Sequence, residues 1–113
     1  MNTKDFGNFG EDSVTNYLTV QGFKILNRNW KTRWCEIDIV AHKEKTVYFV
    51  EVKFRNSNNW GDGLEYITPK KQKQMRFAAE MWMQTNQWQG YAQLSAASVD
   101  SNGTIDFIKD INS

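Results

Sequence analysis

Glu51 and Lys53 stand two positions apart in the run Val47-Tyr48-Phe49-Val50-Glu51-Val52-Lys53-Phe54, which otherwise has the β-branched and aromatic make-up of a buried strand. A carboxylate and an ammonium withdrawn from water are costly unless they pair or hold a ligand. Upstream, Asp38 interrupts a second apolar stretch, Ile37-Asp38-Ile39-Val40-Ala41. Two carboxylates brought together can hold Mg²⁺ or Mn²⁺, hard ions that take oxygen ligands, keep waters and accept phosphate oxygens. Such an ion acidifies water and offsets charge in a phosphoryl transition state. A neighbouring lysine can steady that charge. The same residues also fit a structural Glu–Lys pair at a strand end, and on these residues alone both readings stand.

The elements that would position them are legible in outline. Residues 9–21 place Val14, Tyr17 and Leu18 at helical spacing and end at Gly22. Residues 23–30 and 33–41 read as strands, the second with Ile37, Ile39 and Ala41 on one face and Glu36 and Asp38 on the other. A polar turn over 42–45 leads to a third strand over 46–55, so the second and third strands form a hairpin. Residues 56–63 are rich in turn formers. From Pro69 a second helix shows the apolar stripe Met75, Ala78, Ala79, Trp82. "YAQLSAASVD" and "TIDFIKDI" read as two final strands about "SNG". The order is α-β-β-β-α-β-β, an α/β fold. If Ala41 faces Thr46 across the hairpin, Asp38 shares a face with Glu51 and Lys53. A two-residue shift keeps that result, and a one-residue slip destroys it.

At 113 residues the chain is expected to form one domain, residues 1–113. The single cysteine, Cys35, allows no internal disulfide and suits a reducing compartment. No apolar stretch approaches the ~20 residues of a membrane span, and the polar N-terminus lacks a signal-peptide core; a cytoplasmic location without membrane attachment is expected. Net charge is +1, but residues 24–76 hold twelve Lys/Arg against six Asp/Glu. A segregated basic middle attracts phosphates even in a near-neutral protein, although a solvated face would look the same.

Asp38 followed by Glu51-Val52-Lys53 resembles the Asp…Glu-x-Lys signature of the PD-(D/E)xK nucleases. "GNFGEDSVTNYLTVQGFKILNRNW", "EIDIVA", "VYFVEVKFR" and "KKQKQMRFAAEMWM" together resemble the YraN-like family of small bacterial proteins predicted to be endonucleases, related to archaeal Holliday junction resolvases. The resemblance runs from about Phe9 to Met83 and more loosely to the C-terminus. It implies a restriction-endonuclease-like core, a mixed sheet flanked by helices. It further implies a catalytic set of Glu11, Asp38, Glu51 and Lys53, with Asp38, Glu51 and Glu11 as ligands of Mg²⁺ or Mn²⁺. Arg55, Lys70, Lys71, Gln72, Lys73 and Arg76 are the implied nucleic-acid contacts. The chain departs from the family pattern at Cys35 and Phe54, where glycine and threonine are usual. Gln93 and Ser95 likewise replace an arginine and an aspartate.

Other residues carry less. Cys35 without a second cysteine argues against zinc. His42, in a turn, reads as a surface residue rather than a general base. Trp82 reads as core. Trp60 fits a base-stacking residue or a lid over the core, and Glu36 a further ligand or the partner of a basic neighbour such as Lys53. The expected function is a metal-dependent endonuclease acting on DNA, branched or otherwise structured DNA included, with a homodimer admitted. The alternative is a nucleic-acid-binding module of the same fold with little or no catalysis.

Overall fold

A computed structural model describes residues 3–55 and 66–112; Trp60 and the loop expected over 56–63 lie outside the described residues. The elements are α1 (Thr3–Val20), β1 (Lys24–Lys31), β2 (Glu36–Lys43), β3 (Thr46–Phe54), α2 (Pro69–Thr85), β4 (Tyr91–Val99) and β5 (Ile105–Ile108). The α/β class and the element order expected from the sequence are the observed ones. The strands form one sheet in the order β1-β2-β3-β4-β5, with β3 and β4 parallel and every other pair antiparallel. The parallel pair requires a crossover, and α2 supplies it.

Each face of the sheet carries one helix. Val14 and Leu18 of α1 pack with Ile39, Ala41, Tyr48, Val50 and Ala97. On the opposite face Met75, Ala78, Ala79 and Trp82 of α2 pack with Val40, Val47, Phe49, Leu94 and Ala96. Central β3 is therefore apolar on both sides from Val47 to Val50, which is why its sequence is an unbroken hydrophobic run rather than an alternation. Glu51 is the first charged residue after that run.

Three boundaries differ from expectation, each for a local reason. Helix α1 begins at Thr3 rather than Phe9; the glycines at 7 and 10 hide its continuity in the sequence. Gly10 is there for close approach: a Cβ on it would lie 3.2 Å from Val99 Cγ1 and 3.6 Å from Val52 Cγ1. At the other end Gly22, at φ 94°, closes the helix, with Gly22 N–H on Thr19 O and Phe23 N–H on Leu18 O in a Schellman pattern. The β2–β3 turn is shorter than "HKEK". Lys43 pairs with Thr46 and Ala41 with Tyr48, because Glu44 takes a left-handed φ of 57° and lets the chain reverse over two residues. The shift from the expected register is two residues, so facing parity is kept. Ile37 is a correction of a different kind. It packs with the α2-side cluster, not with Ile39 and Ala41, because β2 parts from β3 at its beginning: the regular β2–β3 register runs only from Lys43 back to Ile39.

Candidate metal centre and nucleic-acid groove

The parting of β2 from β3 is where Asp38 sits. Its Oδ2 accepts the Val52 N–H at 2.8 Å, standing in for a strand carbonyl, so the carboxylate lies in the fork between the strands. Charges on both sides of the sheet reach it there. Burial, followed by the negative charge of Glu51, pushes the Asp38 carboxyl up to about 7; Glu11 and Glu36 add to the rise and the Val52 N–H opposes it. An isolated partly buried carboxylate beside another is held in its acid form because its charged form lacks water and meets like charge. A cation placed between Asp38 and Glu51 would remove both penalties.

Glu51 is held from α2. Thr68 caps that helix, its Oγ1 accepting Lys71 N–H at 3.1 Å, with Pro69 in the first turn. The first turn so fixed brings Lys71 Nζ to 2.9 Å from Glu51 Oε1. The Tyr66 hydroxyl lies between the backbone carbonyls of Glu51 and Ala97, at 3.4 and 3.3 Å, with one proton to donate to either. Burial and the charges of Glu51 and Asp38 push the Tyr66 phenol well above its ordinary range. Lys53 follows Glu51 on β3, exposed and without an ion pair among the described residues.

Glu11 approaches from α1, which Gly10 lets down onto β3 and β4. Its Oε1 accepts Asn29 Nδ2 at 2.8 Å and lies 3.8 Å from Arg28 Nη2; Arg28 also binds Asp12 at 2.8 Å. Asn29 is bracketed by the pairs Arg28–Ile39 and Trp30–Ile37, which sets it across from Asp38. Its φ is 52°, a left-handed conformation uncommon in a strand but tolerated by Asn. Among the described residues no three acidic, His or Cys side chains gather closely enough to hold one ion. Asp38 and Glu51 are the two carboxylates from which a cation site could be built, since Mg²⁺ is commonly held by one or two carboxylates with water and phosphate completing its shell.

The basic residues divide. Lys71 and Lys73 border a groove of about 460 Å³ that also has Glu51 and Glu36 in its wall. Lys70 is exposed and stands on the flank of α2 shared by Lys73 and Phe77 at helical spacing. Gln72 is half-exposed, its N–H on Thr68 O. Arg76 lines a separate cavity of about 320 Å³ with Glu80, Gln93 and Asp110. Arg55 reaches across the sheet to Asp106 Oδ2 at 2.7 Å. One groove bordered by all six is therefore not what α2 builds: Arg76 lines the second cavity together with Ala79, Glu80 and Met83 of the same helix.

The lesser candidates also find places. Glu36 pairs with Lys31 at 3.7 Å rather than with Lys53. Cys35 Sγ lies 3.8 Å from Met81 Sδ and ties the β1–β2 turn to α2. His42, expected in a turn at the surface, lies instead within β2 opposite Val47, half-buried and edge-on to Trp88 with ring centroids 5.3 Å apart. Trp82 is core, its indole N–H on Asn27 Oδ1 at 2.8 Å. Ser95 is fully buried with its Oγ on Lys109 O at 2.6 Å, a tie for the chain end. Asn29 and Tyr66 escaped sequence reasoning. The only signal for Asn29 was a strand-disfavoured residue between Arg28 and Trp30; Tyr66 gave none.

A profile of the "Uncharacterised protein family UPF0102" matches residues 10–109. The chain belongs to this family. A UPF0102 protein of Fusobacterium nucleatum is 34% identical over 98% of this chain and 93% of its own length. One from Myxococcus xanthus is 30% identical over 93% of this chain and 86% of its own. One from Caldicellulosiruptor saccharolyticus is 39% identical over 74% and 71%. The UPF0102 span takes in Glu11, Asp38, Glu51, Lys53 and the whole of α2. No helix among the described residues is long and apolar enough to cross a membrane.

Proposed function

We propose that this protein is a cytoplasmic, metal-dependent endonuclease of the PD-(D/E)xK type that hydrolyses phosphodiester bonds of DNA. The observation that carries the reading is Asp38 set in a strand fork on the Val52 N–H, within reach of the Glu51 charge, with Glu51 itself in the wall of a groove bordered by Lys71 and Lys73. Asp38 and Glu51 would hold Mg²⁺ or Mn²⁺. A divalent cation there supplies positive charge that acidifies water and offsets charge on the phosphoryl oxygens. Asp38 Oδ2 is committed to the Val52 N–H, leaving Oδ1 to take the ion or a proton. Glu11, fixed by Asn29 and Arg28, adds to the negative potential that draws a cation in. Lys53 presents its ammonium to a phosphate oxygen and stabilises negative charge that grows in the transition state. Lys70, Lys71 and Lys73 bind flanking phosphates as point charges.

The Lys71–Glu51 ion pair favours the second reading, a nucleic-acid-binding module, since an ammonium already neutralises one of the two carboxylates. Labelled duplex, single-stranded and four-way-junction DNA incubated with Mg²⁺ or Mn²⁺ separates the two. A nuclease cleaves at least one of them, loses cleavage in Asp38→Asn and Glu51→Gln while retaining binding, and slows in Lys53→Ala. Tight binding with no cleavage of any substrate by the wild type assigns the module instead.

A further inference from the structure

The groove beside Glu51 is walled by aromatic as well as basic side chains. Trp34 is 67% exposed and Phe77 is 49% exposed, and both line it with Lys71 and Lys73. Large exposed apolar residues scattered singly are ordinary; two on opposite elements bordering one charged groove are not. The backbone that carries Trp34 is also held. Thr32 Oγ1 accepts the N–H groups of Trp34 and Cys35 at 3.1 and 3.2 Å, and Thr32 N–H closes the turn on Cys35 O at 2.9 Å. Cys35 Sγ of that turn lies 3.8 Å from Met81 Sδ of α2. The Arg33 guanidinium lies 5.2 Å over the indole. The groove's volume, about 460 Å³, falls in the ordinary range of small-molecule clefts, roughly 300–1,000 Å³.

We infer that this groove is a stacking cleft for an unpaired nucleobase, so that the preferred substrate is single-stranded DNA rather than continuous duplex. The inference rests on the proposed nucleic-acid reading and names its substrate class. Aromatic and charge complementarity together choose the occupant. Lys71 is neutralised by Glu51, but Lys73 has no carboxylate partner among the described residues. A nucleotide brings an aromatic face for Trp34 and Phe77 and a phosphate for Lys73, whereas an apolar peptide brings no counter-charge. Base–aromatic stacking is tolerant of sequence because every base has a π-face. In a paired duplex those faces are already stacked on their neighbours. Gln74 and Glu36, also in the wall, offer donor and acceptor atoms to a base edge.

The test is fluorescence anisotropy with the full chain and end-labelled single-stranded DNA, the same strand with abasic sites in place of bases, blunt duplex, and single-stranded RNA, all without Mg²⁺. The expected result is that intact single-stranded DNA binds about tenfold more tightly than either the abasic strand or the duplex. Trp34→Leu and Phe77→Ala each remove about tenfold from single-strand affinity and change duplex affinity by less than about twofold, while Trp34→Phe keeps most of the affinity. RNA binding as tightly as DNA, with the same response to Trp34→Leu, also supports the cleft and assigns it to single strands of either sugar. Strong, salt-dependent binding that is equal for intact and abasic strands and indifferent to Trp34→Leu overturns the cleft and leaves the nuclease reading in place. Failure to bind any nucleic acid overturns both. A dimer on gel filtration that Trp34→Leu converts to monomer, with DNA affinity unchanged, overturns the cleft and marks this face as an interface between copies.

Discussion

Replacing Asp38 with Asn should make the fold more stable at pH 8 while removing its response to Mg²⁺. Asn keeps the shape and an oxygen for the Val52 N–H, and removes only the charge. In the folded chain Asp38 keeps its proton until about pH 7, whereas the ordinary carboxyl releases it near 3.8. Between those values the folded state binds more protons than the unfolded state, so stability falls as pH rises. The full difference corresponds to about 4 kcal/mol at 1.36 kcal/mol per unit; the partial exposure of Asp38 and the Lys71 ammonium on Glu51 screen this to about 2 kcal/mol. For a domain of this size that is a rise of about 10 °C in Tm for Asp38→Asn at pH 8. At pH 3.5 the two proteins should melt together. Millimolar Mg²⁺ at pH 8 should raise the wild-type Tm, because an ion that binds only the folded state stabilises it, and leave Asp38→Asn unmoved. The measurement is thermal unfolding by circular dichroism from pH 3.5 to 8, with and without Mg²⁺. Glu51→Gln removes the largest charge acting on Asp38 and should shrink the effect of Asp38→Asn when the two are combined. A wild-type Tm parallel to that of Asp38→Asn at every pH would refute the picture of a carboxylate confined in a strand fork by its neighbours.

Other outcomes follow from the same geometry. Changing Lys70, Lys71 and Lys73 together to Ala should weaken DNA binding across sequences and lower the slope of log affinity against log salt by about two to three, read from a salt titration. Gly10→Ala gains up to about 1 kcal/mol of helix propensity but pushes a methyl against Val99 and Val52, at a cost of about 1–3 kcal/mol; urea unfolding should show net destabilisation. Asn29→Asp sets a charge against Glu11 and opposite Asp38, so it should lower Tm at pH 8 far more than at pH 4. Asn29→Gly, which keeps the left-handed backbone, should be milder and nearly independent of pH.

The sequence by itself determined the elements and the parity of the hairpin. The apolar, β-branched run from Val47 to Val50 reads as a buried strand and the stripe Met75, Ala78, Ala79, Trp82 as one face of a helix, and the structure covers the strand on both faces. Those are local patterns, because burial and repeat period are written in neighbouring residues. They also gave two carboxylates with a lysine beside them. Tertiary structure decided what surrounds that pair. That Asp38 enters a fork rather than standing on a face depends on where β2 leaves β3, and a hydrophobic pattern carries no information about strand divergence. That Lys71 pairs with Glu51 while Arg76 turns to another cavity depends on the rotation of α2 about its axis at one end of the sheet. Asn29 and Glu11 meet only because β1 and α1 are both anchored near Asp38, and Trp34 and Phe77 share a groove only because the β1–β2 turn comes to lie beside α2, far away in sequence. Residue types along a chain announce which groups can do chemistry; which of them share a dielectric and a distance is set by packing between elements that the chain brings together only when folded.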